Sequence, residues 1–297
     1  MATASDSATN HGSCVTGIGG SSLHPDPCAR PEKSYRKDRP DATPCLLSPG
    51  SARPAFEARP ARGGAAFCGP LRHRHCRLAM QHSRSEPLYK LYWSPGSAAM
   101  APHAVLLELG VAHELQLLDA KKGDTRTPEY LKLNPHARVP TLVEGEMAMY
   151  ESAAIVQYLC ERHPGAELAP APGTWQRPLF LQWMTYLTNT LQEELSHWWH
   201  AEAYVGPDEH CHKPLVETAE RNLDQMWRFI DGHLAAQGPF LLGARFSAAD
   251  IYLTMLARWS RNCAKPANRF SALGRLIETV KARPAYARML EQESITQ

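Results

Sequence analysis

The chain contains no Cys-x-x-Cys pair, no apolar run of membrane-spanning length and no concentrated basic block. The first absence argues against a zinc ribbon and against dithiol redox chemistry. Five of the eight cysteines, Cys14, Cys28, Cys45, Cys68 and Cys76, fall early, while Cys160, Cys211 and Cys263 are scattered singly, a usage that fits a reducing compartment. His210-Cys211-His212 is the one metal-like cluster, but consecutive residues do not converge on one ion without further ligands, so no metal site is expected. No stretch approaches the roughly 18 apolar residues of a span, and no apolar segment follows a basic start at the N-terminus. A soluble, cytoplasmic protein with no membrane partner is expected. The net charge is +2 with interspersed signs, which gives no footprint for a nucleic-acid partner.

At 297 residues the chain can hold one or two domains with a sizeable core. Residues 1–86 are rich in Pro, Arg, Ser, Gly and Ala and have no sustained period, so this extension is expected to be disordered and of low complexity. An organelle-targeting leader is disfavoured by its acids, among them Asp6, Asp26, Glu32 and Glu57. Met80, just before the patterned region, is the expected translation start.

Residues 87–163 read as β-α-β-α-β-β-α. Leu88 to Trp93 forms a first strand ended by Ser94-Pro95-Gly96, followed by a helix with Ser97 as a possible N-cap and Gly110 as its stop. Glu114 to Leu118 reads as a second strand and Pro128 to Leu133 as a short helix begun by Thr127. Thr141 to Val143 and Met147 to Met149, separated by Glu144-Gly145-Glu146, form a tight hairpin, and Ser152 opens a helix that Pro164 stops. A hairpin entering a helix N-terminus gathers unpaired backbone N–H groups and the positive end of the helix dipole. Ser152 is therefore either a plain N-cap or part of an anion site.

A Pro- and Gly-rich linker follows, and residues 174–297 read as helices only: Trp175 to Trp199, Pro214 to Leu234, Ser247 to Arg258, Phe270 to Ala282 and Pro284 to Gln292. Ser247 and Asp250 have the spacing of a capping box and read as structural.

The ordered motifs KLYWSPGSAAMAPHAVLLELG at 90–110, NPHARVP followed by a hairpin and Glu151-Ser152, and FSAADIYL at 246–253 resemble the glutathione transferases, closest to bacterial, beta-like and theta-like members. The resemblance covers roughly residues 87–292. It implies an α/β thioredoxin-like N-terminal domain joined to an all-α helical bundle, glutathione as co-substrate, and a homodimer engaged in detoxification. It further implies a cis Pro140 that leaves Val139 open to pair with the cysteinyl part of glutathione. Glu151 and Ser152 would hold the γ-glutamyl amine and carboxylate, with Arg138 toward the glycyl carboxylate.

Free glutathione, like any thiol of pKa about 8.5 or above, is only a few per cent thiolate near neutrality, so the enzyme must stabilise the anion. The strand-to-helix junction offers the hydroxyls of Tyr92, Ser94 and Ser97 as donors, with Ser94 favoured slightly by similarity to theta-class placement. Beta-class members carry cysteine at the position of Ala98, and have His and Lys near Gln192 and Glu193, so mixed-disulfide chemistry is not expected here. Trp198, Trp199, His200 and Tyr204 are expected either to line an apolar second-substrate pocket or to pack in the core. The activity implied is conjugation of the thiolate to hydrophobic electrophiles. A peroxidase, isomerase or dehalogenase on the same scaffold, and a non-catalytic binding protein, are the rivals.

Overall fold

The structure is a computed structural model that describes residues 89–295. The extension expected over residues 1–86 lies outside them.

Strand β1 (Tyr89–Trp93) buries alternate residues, Tyr89, Leu91 and Trp93, as a strand with one face on the core must. It sits inside a four-stranded sheet of order β2-β1-β3-β4. β2 (His113–Leu117) runs parallel to it with Leu91 opposite Leu115, and β3 (Thr141–Glu144) antiparallel with Leu91 opposite Leu142. β4 (Met147–Tyr150) completes the hairpin, where Gly145 takes the left-handed conformation (φ 59°) that the turn requires. This mixed sheet and its helices form the thioredoxin-like half of the expected fold.

Helix α1 (Met100–Leu109) is buried at each position from Met100 to Leu106. It packs against α3 (Ser152–Arg162) on one side and against α8 (Ala248–Trp259) and α10 (Pro284–Gln292) on the other, and a helix covered all round loses its polar stripe. Gly110 ends it in a left-handed C-cap (φ 65°). Ser97 does not cap it: the cap position is Ala99, and the Ser97 hydroxyl instead donates to the Ser94 carbonyl (2.7 Å). α2 (Pro128–Leu133) is capped as expected, with Thr127 Oγ1 accepting from Tyr130 N–H at 3.3 Å.

The helical half continues through α4 (Arg177–Tyr186), α5 (Glu193–Trp199), α6 (Ala201–Val205), α7 (Glu209–Gln237) and α9 (Ser271–Lys281). The single helix expected from Trp175 to Trp199 is interrupted by a π-helical segment, Leu187–Gln192, whose wider turn rotates everything after it relative to α4. α7 begins five residues before the expected Pro214, where Asp208 supplies a cap to His210 N–H (3.0 Å), and the proline lies inside the helix and forgoes the bond to the His210 carbonyl. The ten residues Ala248–Ala257 of α8 are all buried, and Trp227 of α7 and Leu276 of α9 complete the core beside them.

Several polar ties join the sheet half to the helical half, the buried His103–Glu293 contact (3.0 Å) among them. Arg283 grips Glu108 with two parallel bonds (2.7 and 2.8 Å), a geometry that favours guanidinium over ammonium. Gly96 N–H donates to Glu293 Oε2 (3.0 Å) and Gly96 O accepts from Trp259 Nε1 (3.0 Å), so the loop after β1 is fixed from the helical side.

Candidate functional site

The NPHARVP loop is shaped by buried polar groups beneath it. Asn134, 2% exposed, donates through Nδ2 to Arg138 O (2.8 Å) and Thr141 Oγ1 (3.2 Å) and accepts from His136 N–H (3.0 Å). The Tyr130 hydroxyl adds a second bond to Arg138 O (2.6 Å). With these bonds made, the Val139–Pro140 peptide is cis, and neither the N–H nor the C=O of Val139 has a partner among the described residues. The side chains of Asn134 and Tyr130 therefore act as positioning groups that sequence reading missed, although Asn134 opens the very motif it shapes. Asn134→Ala is expected to cost about 1–3 kcal/mol, since it strands the His136 N–H and removes one of the two bonds to the Arg138 carbonyl, and to loosen the loop. Denaturant unfolding together with amide exchange at Val139 checks both.

Glu151 joins β4 to α3 at φ 71° and ψ 105°, a conformation that residues other than glycine rarely adopt. The residue is exposed, and no hydrogen bond or ion pair reaches its carboxylate among the described residues. Backbone strain of this kind costs on the order of 1–3 kcal/mol and persists where the surroundings over-determine it, often at a functional site. Ser152 is not a side-chain N-cap; Glu151 holds the cap position, while Ser152, buried at the first helical position, donates its hydroxyl to Ala98 O (2.6 Å). That bond joins the start of α3 to the residues just before α1.

These elements border a cleft of about 680 Å³, large enough for a ligand of drug size or more. Arg138, Val139, Pro140, Glu151 and Ser152 all line it on the sheet side, together with Ala98. The structure thus brings together every residue expected to hold glutathione.

The expected thiol-activating hydroxyls are not brought there. Ser94 Oγ donates to Leu118 O (2.5 Å), Ser97 is bound into the loop, and the Tyr92 ring packs on Tyr130 at 5.4 Å, on the sheet face opposite Leu91. None of them lines the cleft. Ala98 does, and its N–H has no partner among the described residues.

The helical wall also differs from expectation. Of the four residues proposed for a second-substrate pocket only Tyr204 borders the cleft. Trp198 donates to Glu220 Oε1 (3.1 Å), Trp199 donates to Trp259 O (2.9 Å) beneath the Arg261 guanidinium, and His200 points to solvent beside Glu202. The π-helical turn accounts for the change. Its extra width turns Thr188, Asn189, Gln192, Glu193 and Ser196 to the cleft and the two tryptophans toward α7 and α8. Tyr252 donates to Gln192 Oε1 (2.6 Å), which leaves the Gln192 amide N–H groups available on the cleft side. The Tyr204 hydroxyl donates to Glu193 Oε1 (3.0 Å), and partial burial followed by that carboxylate pushes the phenol above its ordinary pKa, so it stays protonated at neutral pH. The resulting wall is polar. Among the described residues no group of three or more His, Cys, Asp or Glu is placed to hold a metal ion.

The mixed four-stranded sheet with its helices and the helical half beside it make a thioredoxin-like unit joined to a helical bundle. Residues 88–167 match the glutathione S-transferase N-terminal domain and residues 213–288 its C-terminal domain. Glutathione S-transferase GST-4.5 of Xanthomonas campestris pv. campestris is 27% identical over 206 residues, covering 69% of this chain and 99% of that protein. Glutathione S-transferase hmp2 of Hypomyces subiculosus is 33% identical over 175 residues, 55% of this chain and 78% of that protein. Among solved structures, a glutathione transferase from Methylococcus capsulatus superposes with a TM-score of 0.63 at 27% identity, covering 70% of this chain and 100% of its own. A sphingomonad glutathione S-transferase complexed with glutathione gives 0.61 at 28% identity, with coverage of 70% and 100%. The chain belongs to the glutathione S-transferase family and is a transferase.

Proposed function

We propose that the cleft binds glutathione and that the enzyme adds its thiolate to an electrophilic carbon. The observation that carries this reading is the convergence of Arg138, the unpaired Val139 backbone, Glu151 and Ser152 on one cleft. In this arrangement Val139 pairs with the cysteinyl backbone, Glu151 takes the γ-glutamyl ammonium, and Ser152 with the N-terminal end of α3 takes the γ-glutamyl carboxylate. Arg138 lies on the same rim as a partner for the glycyl carboxylate. The solved sphingomonad relative complexed with glutathione supports the ligand assignment.

The thiol then lies toward Ala98. Its anion is stabilised by the Ala98 N–H at the start of α1 and by the Gln192 amide, rather than by the hydroxyls of Ser94 and Ser97, which are bonded to Leu118 O and Ser94 O, or of Tyr92, which does not border the cleft. Lowering a thiol pKa by two units requires about 2.7 kcal/mol, within reach of one or two charge-assisted bonds. Thiolate absorbance across a pH series tests this. Bound glutathione is expected to ionise well below its free pKa, and a bound but unshifted thiol would point to a binding role instead. Ser94→Ala and Ser97→Ala are expected to leave the bound pKa unchanged, whereas Gln192→Leu raises it; a rise in the serine variants would return the donor to that loop.

The polar wall favours an electrophile that carries hydrogen-bonding groups over the purely hydrophobic one expected from the tryptophans. A homodimer is part of the same reading, supported by the apolar side chains Leu181 of α4 and Phe229 of α7, 40% and 55% exposed. Phe229→Glu is expected to shift the sedimentation coefficient to that of a monomer, and an unchanged value would place the interface elsewhere.

A further inference from the structure

Three charged residues line the cleft, and glutathione as placed above uses two of them, Arg138 and Glu151. The third, Glu193 at the start of α5, has no part in holding it. Its side chain is 54% exposed. Oε1 accepts from the Tyr204 hydroxyl (3.0 Å), while Oε2 makes no hydrogen bond or ion pair among the described residues. An ionised carboxylate offers about four acceptor positions, so this one keeps most of its capacity open to the cleft.

The surroundings do not cancel its charge. His197, one turn further along α5, lies 3.7 Å from Glu193 and 3.6 Å from Glu194, so even as an imidazolium it answers one carboxylate of the two. Thr188, Asn189, Gln192 and Ser196 on the same wall are neutral. Arg138 is the one Lys or Arg on the lining; its charge is felt at Tyr204, but it forms no ion pair with Glu193 among the described residues, and the glycyl carboxylate takes it once glutathione is bound. A wall of one sign in a cleft concentrates ligands of the other sign and repels those of its own.

We infer that Glu193 selects the second substrate by charge, favouring an electrophile that carries a cationic, hydrogen-donating group such as a guanidinium. This rests on the glutathione reading of the cleft. The fork of a guanidinium gives one N–H to Oε2 and one to the remaining lone pair of Oε1. Gln192, assigned to the thiolate, and Glu193 are consecutive, with Cα atoms about 3.8 Å apart, so a short arm joins the reacting carbon to the cationic group. With a chloroacetamide the thiolate sulfur bonds to the α-carbon as the C–Cl bond breaks, and chloride leaves with the electron pair.

The probes are 2-chloro-N-(3-guanidinopropyl)acetamide and its ureido counterpart, which have the same shape and the same reacting carbon but differ in the charge of the remote group. Turnover of each by the full chain is followed at saturating glutathione, with the uncatalysed rate subtracted. The guanidinium substrate is expected to have a kcat/KM about tenfold higher, the scale of one charge-assisted bond. Glu193→Gln, which keeps an acceptor for Tyr204, is expected to bring the ratio close to one, chiefly through loss of the guanidinium kcat/KM. Glu193→Lys is expected to invert it. Turnover of both substrates without a preference, or a preference that survives Glu193→Gln, would overturn the charge selection and leave the glutathione reading standing. Turnover of neither substrate, with glutathione bound, would overturn conjugation itself and the selection with it.

Discussion

Asp250→Ala is expected to destabilise the protein by about 3–5 kcal/mol, the range for uncovering buried polar partners of a deleted carboxylate. Asp250 is fully buried near the start of α8, where Oδ1 accepts from Leu241 N–H (2.8 Å) and Oδ2 from Ser247 N–H (2.8 Å) and the Ser247 hydroxyl (3.0 Å). Alanine strands all three donors inside the core. It also frees the loop before α8, whose Leu241 and Leu242 are buried against the same helix. Denaturant unfolding followed by tryptophan fluorescence measures the loss, and a change below about 1 kcal/mol would mean that the site collapses or admits water. Burial pushes the Asp250 carboxyl up to about 7 despite its three donors. A raised folded pKa means that the native state binds the proton more tightly. Its contribution to stability is therefore full below pH about 4 and falls as pH rises toward 7, then stays level. Asp250→Asn is expected to flatten that part of the stability profile between about pH 4 and 7.

The second large effect concerns binding. Glu151→Ala is expected to weaken glutathione affinity by about 10- to 100-fold, the loss of one charge-assisted bond to an ammonium, with stability changed by less than about 0.5 kcal/mol. Among the described residues the carboxylate makes no hydrogen bond or ion pair, so its loss removes no such bond from the fold. Glu151→Gly separates the two roles of this position. It should lose the same affinity yet gain about 1 kcal/mol of stability, because glycine adopts φ 71° without a Cβ penalty. Calorimetric titration and unfolding on the same samples read both quantities. An affinity unchanged in both variants would remove Glu151 from the site.

Much of the architecture follows from local rules. The alternation in Tyr89–Trp93, the Gly145 turn, the Thr127 cap and the Gly110 stop each arise within a few residues, where backbone sterics and capping outweigh distant contacts. The sheet-side half of the cleft was legible through the resemblance carried by the motifs at Arg138 to Pro140 and Glu151-Ser152, not through local rules.

What only the tertiary structure decided is which side chains face one another across the two halves. A serine in the sequence displays a hydroxyl, but not whether that hydroxyl is already committed; Ser94 is bound to Leu118, 24 residues away. Likewise the sequence left the tryptophans of α5 either in the cleft or in packing, and the structure sets Thr188, Asn189 and Gln192 of the π-helical turn along the cleft while Trp198 and Trp199 bond to Glu220 and to the Trp259 carbonyl. That the Tyr286 hydroxyl and the Trp93 and Trp227 ring N–H groups find no hydrogen-bond partner among the described residues could not be read at all, because being unpartnered is a property of a packed neighbourhood rather than of a residue type. Sequence determines the periods, caps and turns because these depend on short-range sterics and hydrogen bonding. Packing decides the chemistry of the cleft, because burial and pairing depend on residues brought together from distant parts of the chain.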